Sequence, residues 1–567
     1  MHNSVKEKTL TRLISYGSAL ITIFLISGSV TDPVNAPKLL ILGAVGFGVF
    51  ALILQSGIAR QIKENRLISL FLVLFCLSMI STVALSKLPF SQNFFGAYGR
   101  NSGLLTYLSL SMFLIGTITI RSNENIRKVV IGLGIAGCVN LVYCLWVIFF
   151  GDFIGWSNPY GNILGTLGNP NFIGAFLGLF FSICVAFIFD AKSNFKVKLI
   201  LSATAFFTFF EIYKSHAIQG RVVSALGLGV VLLFFIRSKF SNVITALYST
   251  LVLTVGTLAA LGALQIGPLT KYIYKYSVSL RGQYWLAGWN TGMKNPIHGV
   301  GMDGFGEWYR RSRDIQALKT PGVNTVVNAA HNVFLDMFAY GGWPLFISYI
   351  AIVLVGGIAM IKVAARSKNY DSVFVAIAVA WLGYQMQSAI SINQIGLAIW
   401  GWVLTGALIA YERNTRIPQD GTHANKDSSQ KIKGKKGTQT SVVGPGLVAG
   451  IGIVIGAIIA SPPLASDAKW RSAQIAQSVP LLEQSLTSSF MNPQQTTRYL
   501  VSIQAFESSN LPDLAHKYAQ AAVKFNPDNF ELWKVFYLIQ AATPEEKAIA
   551  LQNMKRLDPL NPDVTAR

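Results

Sequence analysis

Between Gln265 and Ala330 the chain places Lys271, Lys275, Arg281, Lys294, Arg310, Arg311, Arg313 and Lys319 against only Asp303, Glu307 and Asp314. Guanidinium groups fork onto phosphate oxygens, so this excess fits an anionic ligand such as the diphosphate of a lipid carrier. A long loop with a merely solvated basic surface fits it as well. Arg221 follows Lys214, His216 and Gln219 at the start of an apolar run. Free N–H groups and partial positive charge favour a phosphate at a helix start, although an arginine there also snorkels to a membrane interface without any ligand. His331 stands in Ala-Ala-His-Asn-Val-Phe-Leu-Asp, where an imidazole can take a proton from an attacking hydroxyl or serve as a structural hydrogen-bonder. Asn332 and Asp336 are placed to orient it, and Asp336 equally suits a buried partner. Arg100, in Gly-Arg-Asn-Ser-Gly, offers one more phosphate contact. Asn169 and Asn171 flank Pro170, an ordinary capped helix start, and join Arg100, Lys214, Arg310 and Arg311 as substrate-binding candidates. The histidines and acids show no metal-ligand spacing, so neither a metal nor another cofactor is expected.

These residues need a scaffold, and the composition says which. Of 567 residues 52% are hydrophobic and 13% charged, far more apolar than a soluble core requires. Runs long enough for membrane helices recur near 13–30, 38–57, 67–85, 103–120, 129–150, 171–189, 197–213, 218–236, 243–264, 332–361, 372–391, 394–411 and 443–461. The expected fold is an all-α polytopic membrane protein of about 12 to 13 helices. Alternate threading gathers the basic N-terminus, Arg60/Lys63/Arg66, Arg121/Arg127/Lys128, Lys192/Lys196/Lys198, Arg237/Lys239, Lys362/Arg366/Lys368 and the run Lys431 to Lys436 on one face, which the positive-inside rule makes cytoplasmic. His331, Arg221, Arg100, Asn169 and the 265–330 segment then face outward. The four cysteines, Cys76, Cys138, Cys144 and Cys184, lie in apolar runs and read as small core residues.

The domain reading is a transmembrane core over 1–411 with its outer loop 265–330, a basic cytoplasmic linker over 412–441, a last membrane helix over 442–461 and an external, extracytoplasmic helical-repeat tail over 462–567. In the tail, Pro512, Asn526 and Pro527 recur as Pro544, Asp558 and Pro559, with Ala519 and Ala522 between them. That resembles tetratricopeptide hairpins, which bind protein or peptide, though a plain capping domain has the same pattern.

Three stretches together resemble the O-antigen ligase and O-antigen polymerase superfamily of bacterial membrane glycosyltransferases. They are Gln-Gly-Arg221-Val-Val-Ser; Leu-Arg281-Gly-Gln-Tyr-Trp with Asn-Pro-Ile-His-Gly-Val-Gly-Met-Asp-Gly-Phe; and Ala-His331-Asn-Val-Phe-Leu-Asp-Met-Phe-Ala-Tyr-Gly-Gly. The likeness extends to Tyr98-Gly99-Arg100 and Gly168-Asn169-Pro170-Asn171, over most of residues 90–410. It implies a C-type glycosyltransferase fold at the outer face of the cytoplasmic membrane, using neither metal nor nucleotide sugar. The donor would be a glycan on a polyprenyl, typically undecaprenyl, diphosphate and the acceptor a hydroxyl on lipid, glycan or protein. By that resemblance Arg221 and Arg281 hold the diphosphate, His331 is the base, and configuration inverts. The bilayer and a protein partner for the tail are further expected partners; a nucleic acid is not. A transporter of lipid-linked or anionic solutes is the rival, and it calls for internal repeats, broken helices and charges near the midplane.

Overall fold

The computed structural model describes residues 2–273, 276–416 and 443–566. Each of the thirteen apolar runs contains a helix there, although the first, 13–30, is helical only as far as Ile23. By length and composition, nine helices among the described residues can cross a membrane: Asn35–Gln55, Arg66–Leu85, Asn123–Phe150, Pro170–Ile188, Ile218–Lys239, Asn242–Ala263, Val333–Arg366, Ser372–Ile390 and Ile395–Arg416. Pro445–Ala460 makes a tenth when taken with Pro462–Ala476, bent 45° from it.

This is a multi-pass helical membrane protein, with fewer qualifying spans than the twelve to thirteen expected. His2–Ile23 begins earlier than the apolar run and takes Lys6, Glu7, Lys8 and Arg12 into its first turns. Leu104–Ile118 has 15 residues, about 22 Å of helix against a hydrocarbon core of about 30 Å. Phe195–Lys214 carries Lys196, Lys198, Glu211 and Lys214.

At the centre, Ile395–Arg416 is enclosed along its whole apolar window. Its polar groups are bonded inside the bundle: Trp400 Nε1 donates to Thr22 Oγ1 at 2.8 Å, and Thr405 Oγ1 accepts from Trp381 Nε1 of the neighbouring Ser372–Ile390 at 2.9 Å. At the periphery, no position in the apolar window of Asn242–Ala263 is buried; such a helix needs a bilayer as solvent. Backbones approach closely where glycines face each other. A Cβ on Gly456 would lie 2.3 Å from the Gly43 carbonyl oxygen, so Pro445–Ala460 lies directly on Asn35–Gln55 as small residues permit in membranes.

The bundle has two polar ends. At one, Glu7 accepts from the Arg121 and Ser122 amides, Arg121 pairs with Glu64, Arg366 with Glu412, and Lys368 Nζ donates to Asn242 at 2.7 Å. Charges threaded to a common face thus do share an end. Residues 412–416, read as the start of the linker, are instead the last turn of a helix, where Glu412 is held by Arg366 and Arg416. The rest of that segment, including Lys431 to Lys436, lies outside the described residues.

The opposite end carries the tail. Its helices Thr496–Ser508, Pro512–Phe525, Phe530–Leu538 and Pro544–Leu557 stack as hairpins around Ile503, Phe506, Ala519, Ala522 and Leu557. Pro512 and Pro544 each occupy a first helical turn, where a missing N–H costs nothing. Asp467, completely buried, accepts from the Thr31 and Asp32 amides at 2.8 Å and from Tyr98 Oη at 2.9 Å. The tail is thereby fastened to two inter-helix loops of the core.

Candidate active site

The helix Tyr276–Lys294 shows how the Arg-Gly-Gln-Tyr-Trp stretch is used. Positions 281, 284, 285, 288 and 292 fall on one helical face, and that face meets the segment around His331. The Tyr284 ring lies 5.5 Å from the imidazole centroid, and Trp285 Nε1 donates to the His331 carbonyl at 3.4 Å. Gly288 leaves room for Ala330, whose Cβ would be 2.8 Å from an added Cβ, and Gly292 likewise admits Phe338. Tyr284 and Trp285 were not among the residues read as functional, although the i, i+3, i+4 spacing from Arg281 carries the signal.

His331 itself has φ +55, a left-handed conformation in which a non-glycine residue must be held from outside. Asp336 folds back and accepts from the Ala330 amide at 2.8 Å, so its buried carboxylate fixes this turn. Asn332 caps Val333–Arg366, accepting from Phe334 at 3.0 Å and Leu335 at 3.2 Å. Burial, together with the positive charges of Arg281 and Arg100, pushes the imidazole down to about 4. The ring is neutral at physiological pH, with a lone pair free to accept a proton.

Arg281 points toward the start of Ile218–Lys239. Gln219 stands between Asn171 and Arg281; with its amide turned so that both of its ends find complementary partners, its nitrogen donates to the Asn171 carbonyl at 3.2 Å and its oxygen accepts from Arg281 Nη2 at 3.2 Å. This meeting depends on Gly220, where a Cβ would stand 2.5 Å from the Gly174 carbonyl oxygen. With both glycines bare, Pro170–Ile188 and Ile218–Lys239 touch backbone to backbone, and Asn171 and Gln219 share one level. Arg221, two residues on, is exposed and stacks its guanidinium 5.5 Å from the Tyr213 ring.

The remaining candidates part company. Arg100 lies beneath His331, nearly buried, with its fork occupied: it pairs with Asp303 at 3.2 Å, donates to Tyr340 Oη at 3.0 Å and reaches the Asn328 carbonyl. It is a bolt between loops rather than an open phosphate contact. Lys214 is exposed at a helix end, over its own Phe210 at 5.7 Å. Asn169 caps its helix through the Asn171 amide at 2.9 Å and donates to Tyr160 Oη at 3.0 Å. It faces a separate cleft of about 510 Å³ lined also by Asp32, Asn35, Trp156 and Arg471.

Arg310 and Arg311 belong to the tail contact. Arg310 donates to Asp558 at 2.9 Å and to Glu531. Arg311 lies 3.7 Å from Asp528 and stacks on Trp308. Arg313 donates to both Asp558 oxygens at 2.8 Å. Asn526, the counterpart of Asp558 in the repeat, donates to Glu307 at 3.2 Å. The repeated turn of the tail therefore grips the core helix Phe305–Ser312, and these arginines are committed to carboxylates. Lys275, from the same basic segment, lies outside the described residues.

The segment after Lys294 closes the site. Val333–Arg366 is broken at Gly341 and Gly342, the latter at φ +63. Val300 and Gly301 donate to the Ala339 and Tyr340 carbonyls at 3.0 and 3.1 Å, while Trp343 donates to Pro296 at 2.8 Å. A break exposes polar backbone that must find partners at membrane depth; the Asn-Pro-Ile-His-Gly-Val-Gly stretch supplies them.

Compared with known proteins, the chain matches no family model and no curated sequence.

Proposed function

We propose that this protein is a membrane glycosyltransferase of the O-antigen-ligase kind. It transfers a glycan from a polyprenyl diphosphate carrier to an acceptor hydroxyl at the extracytoplasmic face of the cytoplasmic membrane. The observation that carries the reading is the placement of His331, its ring against Tyr284 and its backbone carbonyl held by Trp285, within the field of Arg281. A base and a fixed cation at one end of a lipid-embedded bundle suit a reaction in which a hydroxyl attacks and a diphosphate departs.

In that reaction His331 takes the acceptor proton while the acceptor oxygen bonds to the anomeric carbon. The bond from that carbon to the diphosphate oxygen breaks, and the electron pair leaves with the lipid diphosphate. Arg281, with Arg221 at the exposed rim, offsets the growing negative charge, which is where a preorganised cation lowers the barrier. Attack from the face opposite the leaving group inverts the configuration. Bound diphosphate also cancels part of the field that depresses His331, so donor binding makes the base stronger.

A transporter shares one feature, the break in Val333–Arg366. That break lies only eight residues from the helix start, and its backbone is satisfied by the protein's own loop rather than left open to a solute.

Reconstitution with a polyprenyl-diphosphate oligosaccharide, offering lipid, glycan and peptide acceptors, tests the reading and separates ligase from polymerase and protein glycosylation. Transfer that requires His331 and Arg281 is expected. Undiminished transfer by His331→Ala and Arg281→Ala, or ATP-independent movement of the donor without transfer, would overturn it.

A further inference from the structure

The tail is held by its covalent link at Ser461 and by its polar contacts, yet one of its turns has the wrong composition for a solvated surface. Ser489 and Asn492 exchange backbone hydrogen bonds at 3.3 and 3.0 Å, which makes Phe490 and Met491 the two corner residues of a tight turn. Corners of this kind usually take Gly, Asn or Asp. Here they hold two large apolar side chains, and Phe490 is 63% exposed. The turn is rigid: the Asn492 amide donates to the Ser485 carbonyl at 2.9 Å and to the Thr487 carbonyl at 2.7 Å.

Two contacts set its position, each just past the end of a membrane-spanning element. Met491 Sδ lies 3.9 Å from Ser461 Oγ, at the end of Pro445–Ala460. Ser91 Oγ donates to the Gln494 carbonyl at 2.8 Å, and Ser91 neighbours Phe90, 67% exposed, just beyond Arg66–Leu85. Exposed apolar residues line both spans up to this level: Leu447, Ile451, Val454, Ile455 and Ile458 on one, and Leu70, Leu74, Leu77 and Leu85 on the other. The turn therefore continues two surfaces that a bilayer must cover. An exposed lysine, Lys87, precedes Phe90 by three residues, as expected where apolar groups meet lipid phosphates.

We propose that the Phe490–Met491 turn, together with Phe90, inserts into the boundary between headgroups and acyl chains of the membrane the protein spans. The tail then has a lipid contact in addition to its protein contacts. This inference rests on the membrane architecture alone and is independent of glycosyl transfer.

The full-length protein, reconstituted in nanodiscs of phosphatidylcholine and phosphatidylglycerol, tests it by photo-crosslinking with p-benzoylphenylalanine placed singly at Phe90, Phe490, Ile458 and Ile549. Ile458, on a lipid-facing span, is the positive control; Ile549, exposed on Pro544–Leu557, is the water-facing one. Mass spectrometry is expected to find lipid adducts at Phe490 and Phe90 with yields comparable to Ile458 and well above Ile549. Adducts at Phe490 only with a second protein chain, or a lipid yield there no higher than at Ile549 while Ile458 reacts, would overturn the proposal. All four side chains are exposed, and at Phe90 the benzoyl group extends a phenyl ring that can still stack on Phe94.

Discussion

Replacing Asp558 by asparagine keeps the shape of its side chain and removes its charge. The carboxylate is fully buried and meets Arg313, also fully buried, through both oxygens at 2.8 Å, and Arg310 at 2.9 Å. Arg310 retains the Glu531 carboxylate after the change, whereas Arg313 keeps only neutral acceptors, the Val323 carbonyl at 2.8 Å and the amide oxygen of the new side chain. Stranding a buried cation costs about 3–5 kcal/mol, equal to roughly two to four powers of ten in the docking equilibrium of tail and core. Hydrogen–deuterium exchange read by mass spectrometry on the reconstituted protein measures this directly. Amides of Phe305–Ser312 and Pro544–Leu557 are expected to exchange faster together in Asp558→Asn, with Ile395–Arg416 unchanged. Asp528→Asn is the comparison, because its partner Arg556 is half exposed and Arg311 is 3.7 Å away; about 1 kcal/mol or less is expected there. Equal exchange in the two variants would refute the assignment of Asp558 as the main bolt.

Three further outcomes are expected. Because His331 is pushed down to about 4 from an ordinary 6.5, the acid limb of kcat/KM should fall near pH 4, and that of kcat, with donor bound, at higher pH; coincident limbs near 6.5 would sink the field argument. The same depression means that the neutral ring's contribution to stability is complete above pH 6.5, falls as pH drops toward 4 and is flat below, which thermal unfolding of the wild type and His331→Ala can compare. Arg281→Lys keeps the charge but loses the planar fork that reaches Gln219, so turnover should drop about 10²-fold or more; unchanged turnover would remove Arg281 from the diphosphate site. In Gly342→Ala the new Cβ would sit 2.3 Å from the Pro296 carbonyl oxygen at a backbone angle alanine resists, so a loss of stability of about 1–3 kcal/mol is expected in detergent melts, and an unchanged melt would contradict the packing described at the break.

Helices were legible because a bilayer demands long apolar runs, and those runs are local in sequence. Their limits were less so: Glu412 extends its helix by pairing with Arg366, 46 residues away, a contact no periodicity announces. At the site, the charge of Arg281 reaches the His331 imidazole, a neighbourhood that the family resemblance implied and the apolar pattern did not, since Arg281 lies within the long segment between two apolar runs whereas His331 stands at the edge of one. Arg310 and Arg311 looked like free cations for the opposite reason. Their counter-charges, Asp528, Glu531 and Asp558, are roughly two hundred or more residues downstream in a tail whose balanced charge hides the complement. Arg100 misled in the same way, its acid partner being Asp303. Charge excess in one segment says little until the distant segments that neutralise it are in place.

The interrupted helix has a consequence for biogenesis. Val300 and Gly301 find their acceptors only on Ala339 and Tyr340, residues made some forty positions later by the ribosome. A nascent chain that has just inserted the earlier helices cannot yet settle the stretch following Lys294; it must wait for the next hydrophobic segment to arrive. Synthesis runs from the arginine to the histidine, whereas final closure runs backward from the second glycine, so a stalled or truncated product would leave raw amides exposed for quality-control proteases to recognise.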